Sequence, residues 1–338
     1  MGQDIARVPE GTRLVFLHLP KTAGTSLRAA LARHFRPEEV VQVDSLAEWG
    51  EALADPGRYR FWAGHMPFSL VALIPPPVFV VTLLRDPVAR ILSLYTFWRR
   101  HADPSRPHLR AAMEGDLEAF LASSEPAVRN GTDNHMARLL HGRAPVAEAE
   151  GWPLVAQPED AARRMSDAEL LEGARRNLLR CGAVGIADDV GGLYRRIAAA
   201  FGFTPGAEPP RLNTRESGAE VLRPAGAPPV VTPAAAAALD RLTRLDRPLF
   251  ALARRLAEAG PRPEDGAPAA AEGADAAWSV SAAELVEALH RGLRGRPPGP
   301  RERWVQIAAL VSGQISPAEL VRRLAARAGR PGAAGAEG

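Results

Sequence analysis

The chain has 338 residues, of which 46% are hydrophobic, and 42 lysine and arginine side chains against 39 acidic ones give a formal net charge of +3. This length allows one large domain and a smaller unit, at about 100–200 residues per domain. The positive charge is too weak and too dispersed for a protein that binds nucleic acid through charge.

Two units with the order strand, turn, helix dominate the first hundred residues. The apolar residues 13–19 predict a buried parallel strand, and the periodicity of residues 25–35 predicts the helix that follows it. A second apolar strand is expected at 78–84, with Asp86 as the N-cap and Pro87 as the first residue of the next helix. In open α/β sheets, ligands bind at the carboxyl ends of the strands, where both turns lie.

The rest of the chain is mostly helical in pattern. Residues 99–165, rich in arginine, histidine and proline, are expected to be irregular. The further predicted elements are a helix from the capping box of Ser166 and Glu169 to about Arg180, a strand at 183–186, a helix at 189–201, and a long helical stretch from Thr232-Pro233 to about Ala259.

Lys21 is the only lysine of the chain and lies in the run LVFLHLPKTAGTSLRAAL. A strand, a tight turn and a helix N-terminus together form an anion site, because unpaired backbone N–H groups and the helix dipole point at one spot. The lysine precedes Gly24, so the run is not a Walker A loop. The second strand also ends in Arg85 instead of the acidic residue of a nucleoside triphosphatase. These features predict a phosphate site whose chemistry needs no metal.

Two motifs resemble a known family. HLPKTAGTSL resembles the 5′-phosphosulfate loop, and LLRDPVARILSLY the 3′-phosphate segment, of sulfotransferase family 2, the carbohydrate sulfotransferases related to heparan sulfate 2-O-sulfotransferase. Weaker similarities are GHMPF, DNHMARLLHG, VGIADDVGGLYRRIAAAFGF and LNTRES, so that the resemblance covers about residues 12–258. It implies an α/β fold with a P-loop-like core, in which helices flank a central parallel sheet.

The resemblance also implies a co-substrate, 3′-phosphoadenosine 5′-phosphosulfate, and no metal. Ser93 lies two helical turns after Asp86 and therefore faces the strand end, although a helix serine can instead bond its own backbone. Arginine can grip a terminal phosphate with two hydrogen bonds, although Arg85 can also form a surface ion pair. By position in the motifs, the residues implied to bind the 5′-phosphosulfate are Lys21, Thr22, Gly24, Thr25 and Ser26, and those for the 3′-phosphate are Arg85 and Ser93.

The transfer of a sulfuryl group to an alcohol needs a base for the hydroxyl proton, and histidine has a suitable pKa. His65 lies in FWAGHMPF, between the phosphate motifs, and matches the Gly-His segment of the resembling family. We therefore predict His65 as the general base and Lys21 as the cation at the leaving phosphate; a structural role for His65 is the alternative. His18 is expected to be structural. Solvated surface positions are expected for the histidines of the middle region, with contact to the acceptor as the alternative; these are His101, His108, His135 and His141.

A basic stretch follows the helix of Ser93. It contains Arg99, Arg100, His101, Arg106, His108 and Arg110. It is open to two interpretations, which are a groove for an anionic glycan and a solvated helix end that satisfies the helix dipole. Asn134 and Arg138 are candidates for acceptor contacts, with a role of Arg138 in bracing the fold as the alternative.

Four regions are predicted along the chain. The sulfotransferase domain spans 12–259, a linker without hydrophobic period spans 260–277, a small all-α module spans 278–328, and a disordered tail spans 329–338. The module resembles a short helical domain of unknown function and is a candidate for binding a protein partner.

The sequence thus predicts a bacterial-type sulfotransferase that acts on a carbohydrate hydroxyl. The alternatives are a P-loop nucleotide kinase or triphosphatase and a non-catalytic nucleotide-binding scaffold. The single cysteine, Cys181, excludes an internal disulfide, and no segment is typical of a signal peptide or a membrane span. We therefore expect a cytoplasmic protein, with no nucleic acid as partner.

Overall fold

The structure is a computed structural model. It describes residues 7–43, 52, 55–100, 103–142, 146–149, 152–155, 166–204 and 228–259, and a few residues between 286 and 324. Its strands are β1 (Arg13–Leu17), β2 (Val40–Val43), β3 (Phe61–Gly64), β4 (Val78–Leu84), β5 (Val146–Ala149), β6 (Trp152–Val155) and β7 (Ala183–Ile186).

Helices follow most of the strands and fill the middle of the chain. They are α1 (Gly24–Ala32), α2 (Pro87–Arg100), α3 (Pro107–Glu114), α4 (Leu117–Ala122), α5 (Pro126–Thr132), α6 (His135–His141), α7 (Asp167–Leu179), α8 (Val190–Phe201), α9 (Pro233–Leu242) and α10 (Asp246–Ala259). Short 3-10 segments occur at Pro37–Glu39, Phe68–Leu73 and Ala187–Asp189.

A five-stranded sheet in the order β2-β3-β1-β4-β7 forms the centre of the fold. All its pairs are parallel, which confirms the predicted class: an α/β fold with a central parallel sheet and flanking helices. β5 and β6 pair separately as an antiparallel hairpin. After β1 the chain moves to one side of the sheet, to β2 and β3, and then crosses to β4 on the other side. Ligands of open α/β sheets bind where the strand order reverses in this way.

Both faces of the sheet are covered, as the continuous apolar run of β1 requires. Successive side chains of a strand point to opposite faces. Leu14 and Phe16 accordingly pack with α1 and α8 in one core, whereas Val15 and Leu17 pack with α6, α7 and α10 in the other. A third apolar cluster joins α2 to α3, α4, α5 and α9 beside the sheet. β1 is thus buried from both sides, and its end is held firmly.

The predictions from apolar runs and helix caps are confirmed. Strands lie at Val78–Leu84 and Ala183–Ile186, as expected. The capping box of Ser166 and Glu169 begins α7, and the Asp86 side chain accepts a hydrogen bond from the Ala89 N–H at the start of α2. Thr232 caps α9.

Two predictions about the helices were wrong. Residues 99–165 are not irregular: in their described part they form α3, α4, α5, α6 and the hairpin, and the three helices α3, α4 and α5 pack on α2 or on one another. These helices are short, so that none shows a long hydrophobic period. The stretch from Thr232 to Ala259 is two helices, because a turn at residues 243–245 separates α9 from α10.

The turn between α9 and α10 is bonded reciprocally to the start of α6. The buried carboxylate of Asp246 accepts hydrogen bonds from the N–H groups of Met136 and Ala137. In return the Asn134 side chain accepts one from the Leu245 N–H. Burial raises the pKa of Asp246 from 3.8 to about 6, against the opposing effect of Arg90 and with a small contribution from Asp133.

We expect this pKa to make stability depend on pH. Between pH 3.8 and about 6, the folded protein retains a proton on Asp246 that the unfolded chain releases, so stability falls as the pH rises. Asp246→Asn removes this titration. The difference in free energy of unfolding, wild type minus variant, should therefore fall by about 2–3 kcal/mol from pH 4 to pH 6.5. Urea unfolding at fixed ionic strength measures it, with the exposed Asp188→Asn as control. Parallel pH profiles of wild type and Asp246→Asn would contradict the assignment.

The C-terminal predictions are mostly outside the described residues. The linker (260–277) and the tail (329–338) lie wholly outside them. Of the predicted helical module, only scattered residues are described, among them the buried Val286, Leu310 and Leu320, and the module stays a prediction. None of the helices in the described ranges is long and apolar enough to cross a lipid bilayer.

Candidate active site at the carboxyl edge of the sheet

The register of the sheet brings three chain segments to one edge. Leu17, the last residue of β1, lies opposite Gly64, the last residue of β3, and opposite Thr82 of β4. The Thr82 hydroxyl donates to the Leu17 carbonyl at 2.9 Å and fastens the end of β1 to β4. The residues that follow these strands, which include His18 and His65, therefore meet at the same edge.

The loop between β1 and α1 has an unusual backbone. Lys21 and Ala23 both have a φ of 68°, in the left-handed region that non-glycine residues seldom adopt. The buried Thr22 lies between them and donates from its hydroxyl to the Leu19 carbonyl at 2.8 Å. Turns that alternate in this way direct successive N–H groups into one concavity and bind anions. Because the Thr22 hydroxyl is used inside the loop, its backbone N–H is the group that can face an anion.

His18 supports the loop from below. Its side chain is buried, and its ring centroid lies 5.3 Å from that of Phe16 and 4.5 Å from that of His65. Gly24 lies directly against this ring, and a Cβ at Gly24 would overlap it. The glycine therefore lets helix α1 begin close to the sheet. The expected structural role of His18 agrees with this position.

The hydrogen bond of His65 defines its tautomer. Nδ1 of His65 lies 2.7 Å from the carbonyl oxygen of His18. A carbonyl only accepts, so Nδ1 carries the hydrogen and Nε2 carries the lone pair of the neutral ring. His65 follows β3 directly. The structure thus presents a half-buried histidine beside the loop of Lys21, with the lone pair on Nε2.

The electrostatics of this edge favour anions. The pKa of His18 lies well below its ordinary value because the ring is buried, and because His65, Arg28 and Lys21 lie close by. A neutral His18 adds no charge of its own, whereas Lys21 and Arg28 bring the positive charge of lysine and arginine side chains to the loop. The positive potential at the loop fits a ligand with several phosphate or sulfate charges.

Lys21 is connected to the second unit at two points. Nη1 of Arg85, which follows β4, donates to the Lys21 carbonyl at 3.3 Å. The Lys21 ammonium lies over the ring of Phe97 on α2, with Nζ 3.6 Å from the ring centroid. Ser93 is half-buried on the same helix, one turn before Phe97. The contact with Phe97 was missed by the sequence reasoning; the spacing of four residues from Ser93 was the available signal.

The structure therefore places the predicted donor ligands at one edge of the sheet, in the loop after β1, at the start of α1, directly after β4 and on α2. Thr25 is exposed and Ser26 is buried in the first turn of α1. No ligand tests these assignments, and they stay predictions for Lys21, Thr22, Gly24, Thr25, Ser26, Arg85 and Ser93.

Two of the middle histidines are buried, contrary to the prediction of surface positions. His108 and His135 are each 4% exposed. His108 packs on Trp98, with 4.9 Å between ring centroids. His135 donates from Nδ1 to the Asn130 carbonyl at the end of α5. His141 is half-buried, and its ring fills the space beside Gly173. His101 lies outside the described residues.

Arg90 binds a backbone carbonyl at the C-terminal end of α5, next to the carbonyl that His135 binds. This fully buried side chain on α2 donates to the Gly131 carbonyl. Burial lowers the pKa of Arg90 to about 10, so it remains charged at neutral pH. Together with His135 it binds carbonyls that have no partner within α5, and its charge complements the helix dipole. The pair thereby fixes the helix of Ser93 against α5 and α6.

Asn134 and Arg138, the candidates for acceptor contacts, bond to other parts of the fold. Asn134 is fully buried and accepts a hydrogen bond from the α9–α10 turn, and Arg138 donates to the backbone and side chain of Asp133. Both brace the fold. In the basic stretch, His108 is buried and Arg106 pairs with Asp103 at 3.4 Å. A glycan groove there would have to depend on the other arginines.

Comparison with known proteins gives partial similarities to one kind of enzyme. No protein-family model matches the chain. Galactose-3-O-sulfotransferase 3 of Bos taurus is 27% identical over 154 residues, which cover 41% of this chain and 35% of that protein. The human galactose-3-O-sulfotransferase 3 is 26% identical over 148 residues, with 39% and 33% covered. The chain thus spans about a third of the length of these curated relatives. The similarity supports the carbohydrate sulfotransferase class, and the particular family stays a prediction.

We expect Gly24→Ala to damage the site through His18. The new Cβ overlaps the His18 ring and approaches Phe16, and the His18 ring is buried in contact with Phe16 and His65, so side chains must shift. Overpacking of this kind should lower the free energy of unfolding by about 1–3 kcal/mol. Chemical denaturation measures it. The control is Gly57→Ala, where the nearest atom to a new Cβ lies 3.8 Å away. Equal stability of the two variants would contradict the overlap of a Cβ at position 24 with the His18 ring.

Proposed function

We propose that the chain is a sulfotransferase that moves a sulfuryl group from 3′-phosphoadenosine 5′-phosphosulfate to a hydroxyl group of a carbohydrate. The observation that carries this proposal is the convergence of the Lys21 loop, Arg85 and the His65 ring at one edge of the sheet. The similarity to galactose-3-O-sulfotransferases supports both the reaction class and the acceptor class.

The residues present fit a donor with phosphate at two ends. The left-handed turns at Lys21 and Ala23 and the close approach allowed by Gly24 suit a phosphosulfate over the first turn of α1. Arg85 and Ser93 lie on the neighbouring unit and would take the 3′-phosphate. The bond from Arg85 to the Lys21 carbonyl connects these two parts of the donor site.

In the proposed reaction the acceptor oxygen attacks sulfur as the bond between sulfur and the bridging phosphate oxygen breaks. His65 Nε2 takes the acceptor's hydroxyl proton, because Nδ1 is committed to the His18 carbonyl. The electron pair of the broken bond stays on the leaving adenosine 3′,5′-bisphosphate. Lys21 stabilises that developing charge more strongly in the transition state than in the ground state, which is the condition for catalysis.

Two alternatives make different demands on the same site. A P-loop nucleotide kinase or triphosphatase needs a magnesium ligand, and Arg85 follows β4, the strand next to β1, where an acidic residue would be needed. A non-catalytic scaffold has no need for a histidine held in one tautomer beside the phosphate loop. Both therefore fit the site less well than sulfuryl transfer does.

Nucleotide binding separates these functions. We expect adenosine 3′,5′-bisphosphate at ~100 times its Kd to raise Tm by about 5–10 °C, whereas ATP with magnesium raises it little. Differential scanning fluorimetry measures both. A larger shift with ATP and magnesium would favour the kinase. Mass spectrometry measures the gain of sulfate on the carbohydrate. Binding of adenosine 3′,5′-bisphosphate with no such gain on any carbohydrate would favour the scaffold.

Substitutions test the assigned roles. His65→Ala should lower kcat about 10²–10⁴-fold through loss of the base. Lys21→Ala should lower it about 10²–10³-fold, and Lys21→Arg should restore only part, since a guanidinium is wider and planar. The control is His34→Ala, beyond the C-terminal end of α1, where His34 stacks on Phe203. Wild-type sulfuryl transfer in His65→Ala or Lys21→Arg would contradict the mechanism.

A further inference from the structure

The Lys21 side chain is placed by an aromatic ring. Its Nζ lies 3.6 Å from the centroid of the Phe97 ring, well inside the reach of about 6 Å for a cation–π interaction. Phe97 is a half-buried residue of α2. Phe97 belongs to this helix and not to the loop of Lys21, so the position of its ring depends on the helix.

The contact fixes Lys21 at a second point. The backbone of Lys21 has a left-handed φ and receives the hydrogen bond of Arg85 at its carbonyl. The Phe97 ring contacts the ammonium at the other end of the side chain. A lysine side chain has four rotatable bonds and loses considerable entropy when it is held in one place. Because the ring already holds the ammonium, part of this entropy is lost before a ligand binds, and binding itself costs less.

An aromatic ring holds a cation without neutralising it. A carboxylate at the same place would form an ion pair and cancel the positive charge, whereas the ring attracts the ammonium through its quadrupole. Full charge at Lys21 is what a leaving phosphate requires. Phe97 and Ser93 also lie one turn apart on α2, so the predicted 3′-phosphate ligand and the residue in contact with Lys21 are neighbours on one helix.

We propose that Phe97 is a positioning residue for the transfer reaction, which holds the Lys21 ammonium where the charge of the leaving phosphate develops. This inference rests on the proposed sulfotransferase function. Phe97 acts through Lys21 and touches no reacting atom.

Fluorination of the Phe97 ring tests the proposal without changing the shape of the site. Site-specific incorporation of mono-, di- and trifluorophenylalanine weakens the quadrupole stepwise. We expect kcat to fall with each step, about three- to tenfold in total, while KM for the acceptor stays constant. Phe97→Trp should retain kcat, and Phe97→Leu should match the trifluorinated ring. In a Lys21→Ala background the series should be flat. The control is the same series at the half-buried Phe250 of α10.

A second measurement observes the contact directly. Because Lys21 is the only lysine of the chain, lysine labelling gives a single side-chain NMR signal. Its ε-methylene protons should be shifted upfield by the Phe97 ring and return to the ordinary position in Phe97→Leu. An unshifted signal in the wild type would overturn the proposal.

The outcomes separate this proposal from the proposed function. Sulfuryl transfer by the wild type with a flat fluorine series would overturn the role of Phe97 and leave the function intact. A wild type that neither binds adenosine 3′,5′-bisphosphate nor transfers sulfate would overturn the function, and the role of Phe97 with it.

Discussion

The register of β1 against its two neighbours is the constraint on which the site depends. β1 is the central strand and is buried on both faces, so that it cannot slide without exposing one core. Its last residue lies opposite both Gly64 and Thr82. The histidine after β3, the arginine after β4 and the loop after β1 therefore meet as a consequence of strand pairing. The chemistry of the edge is fixed by the packing of residues that take no part in it.

The loop after β1 is a strained element that needs this support. Two non-glycine residues in the left-handed region cost about 1–2 kcal/mol each, and they persist because the surroundings determine the loop completely. The buried His18 fills the space below it, the Thr22 hydroxyl closes it on the Leu19 carbonyl, and Arg85 bonds it from the next unit. Strain of this kind is typical of ligand sites, since it directs N–H groups away from ordinary hydrogen bonds.

The sequence was informative wherever a local pattern alone determines structure. A long apolar run predicted β4, capping residues predicted the starts of α2 and α7, and the short strand β7 was predicted between two helical segments. The strand FWAG, which is β3, is as short as β7 but has no predicted helix beside it, and the four short helices of the middle region show no long hydrophobic period. The motifs indicated Lys21 and His65, which both follow strands at one edge of the sheet; their roles stay predictions. The burial of His135 depends on which helices pack together, and a single segment contains no signal for that. For Phe97, the spacing of four residues from Ser93 was the only local signal, and the sequence does not show that the ring reaches Lys21.

The isolated lysine has a physical explanation in these contacts. Elsewhere the chain uses arginine for every cationic side chain. At position 21 the cation must fit over the face of one phenylalanine while it remains beside the backbone of an anion-binding turn. An ammonium is compact and places its charge at a single point, whereas a guanidinium stacks its whole plane on a ring and spreads its charge over three nitrogens. The contact between the turn and α2 therefore favours lysine over arginine at this position.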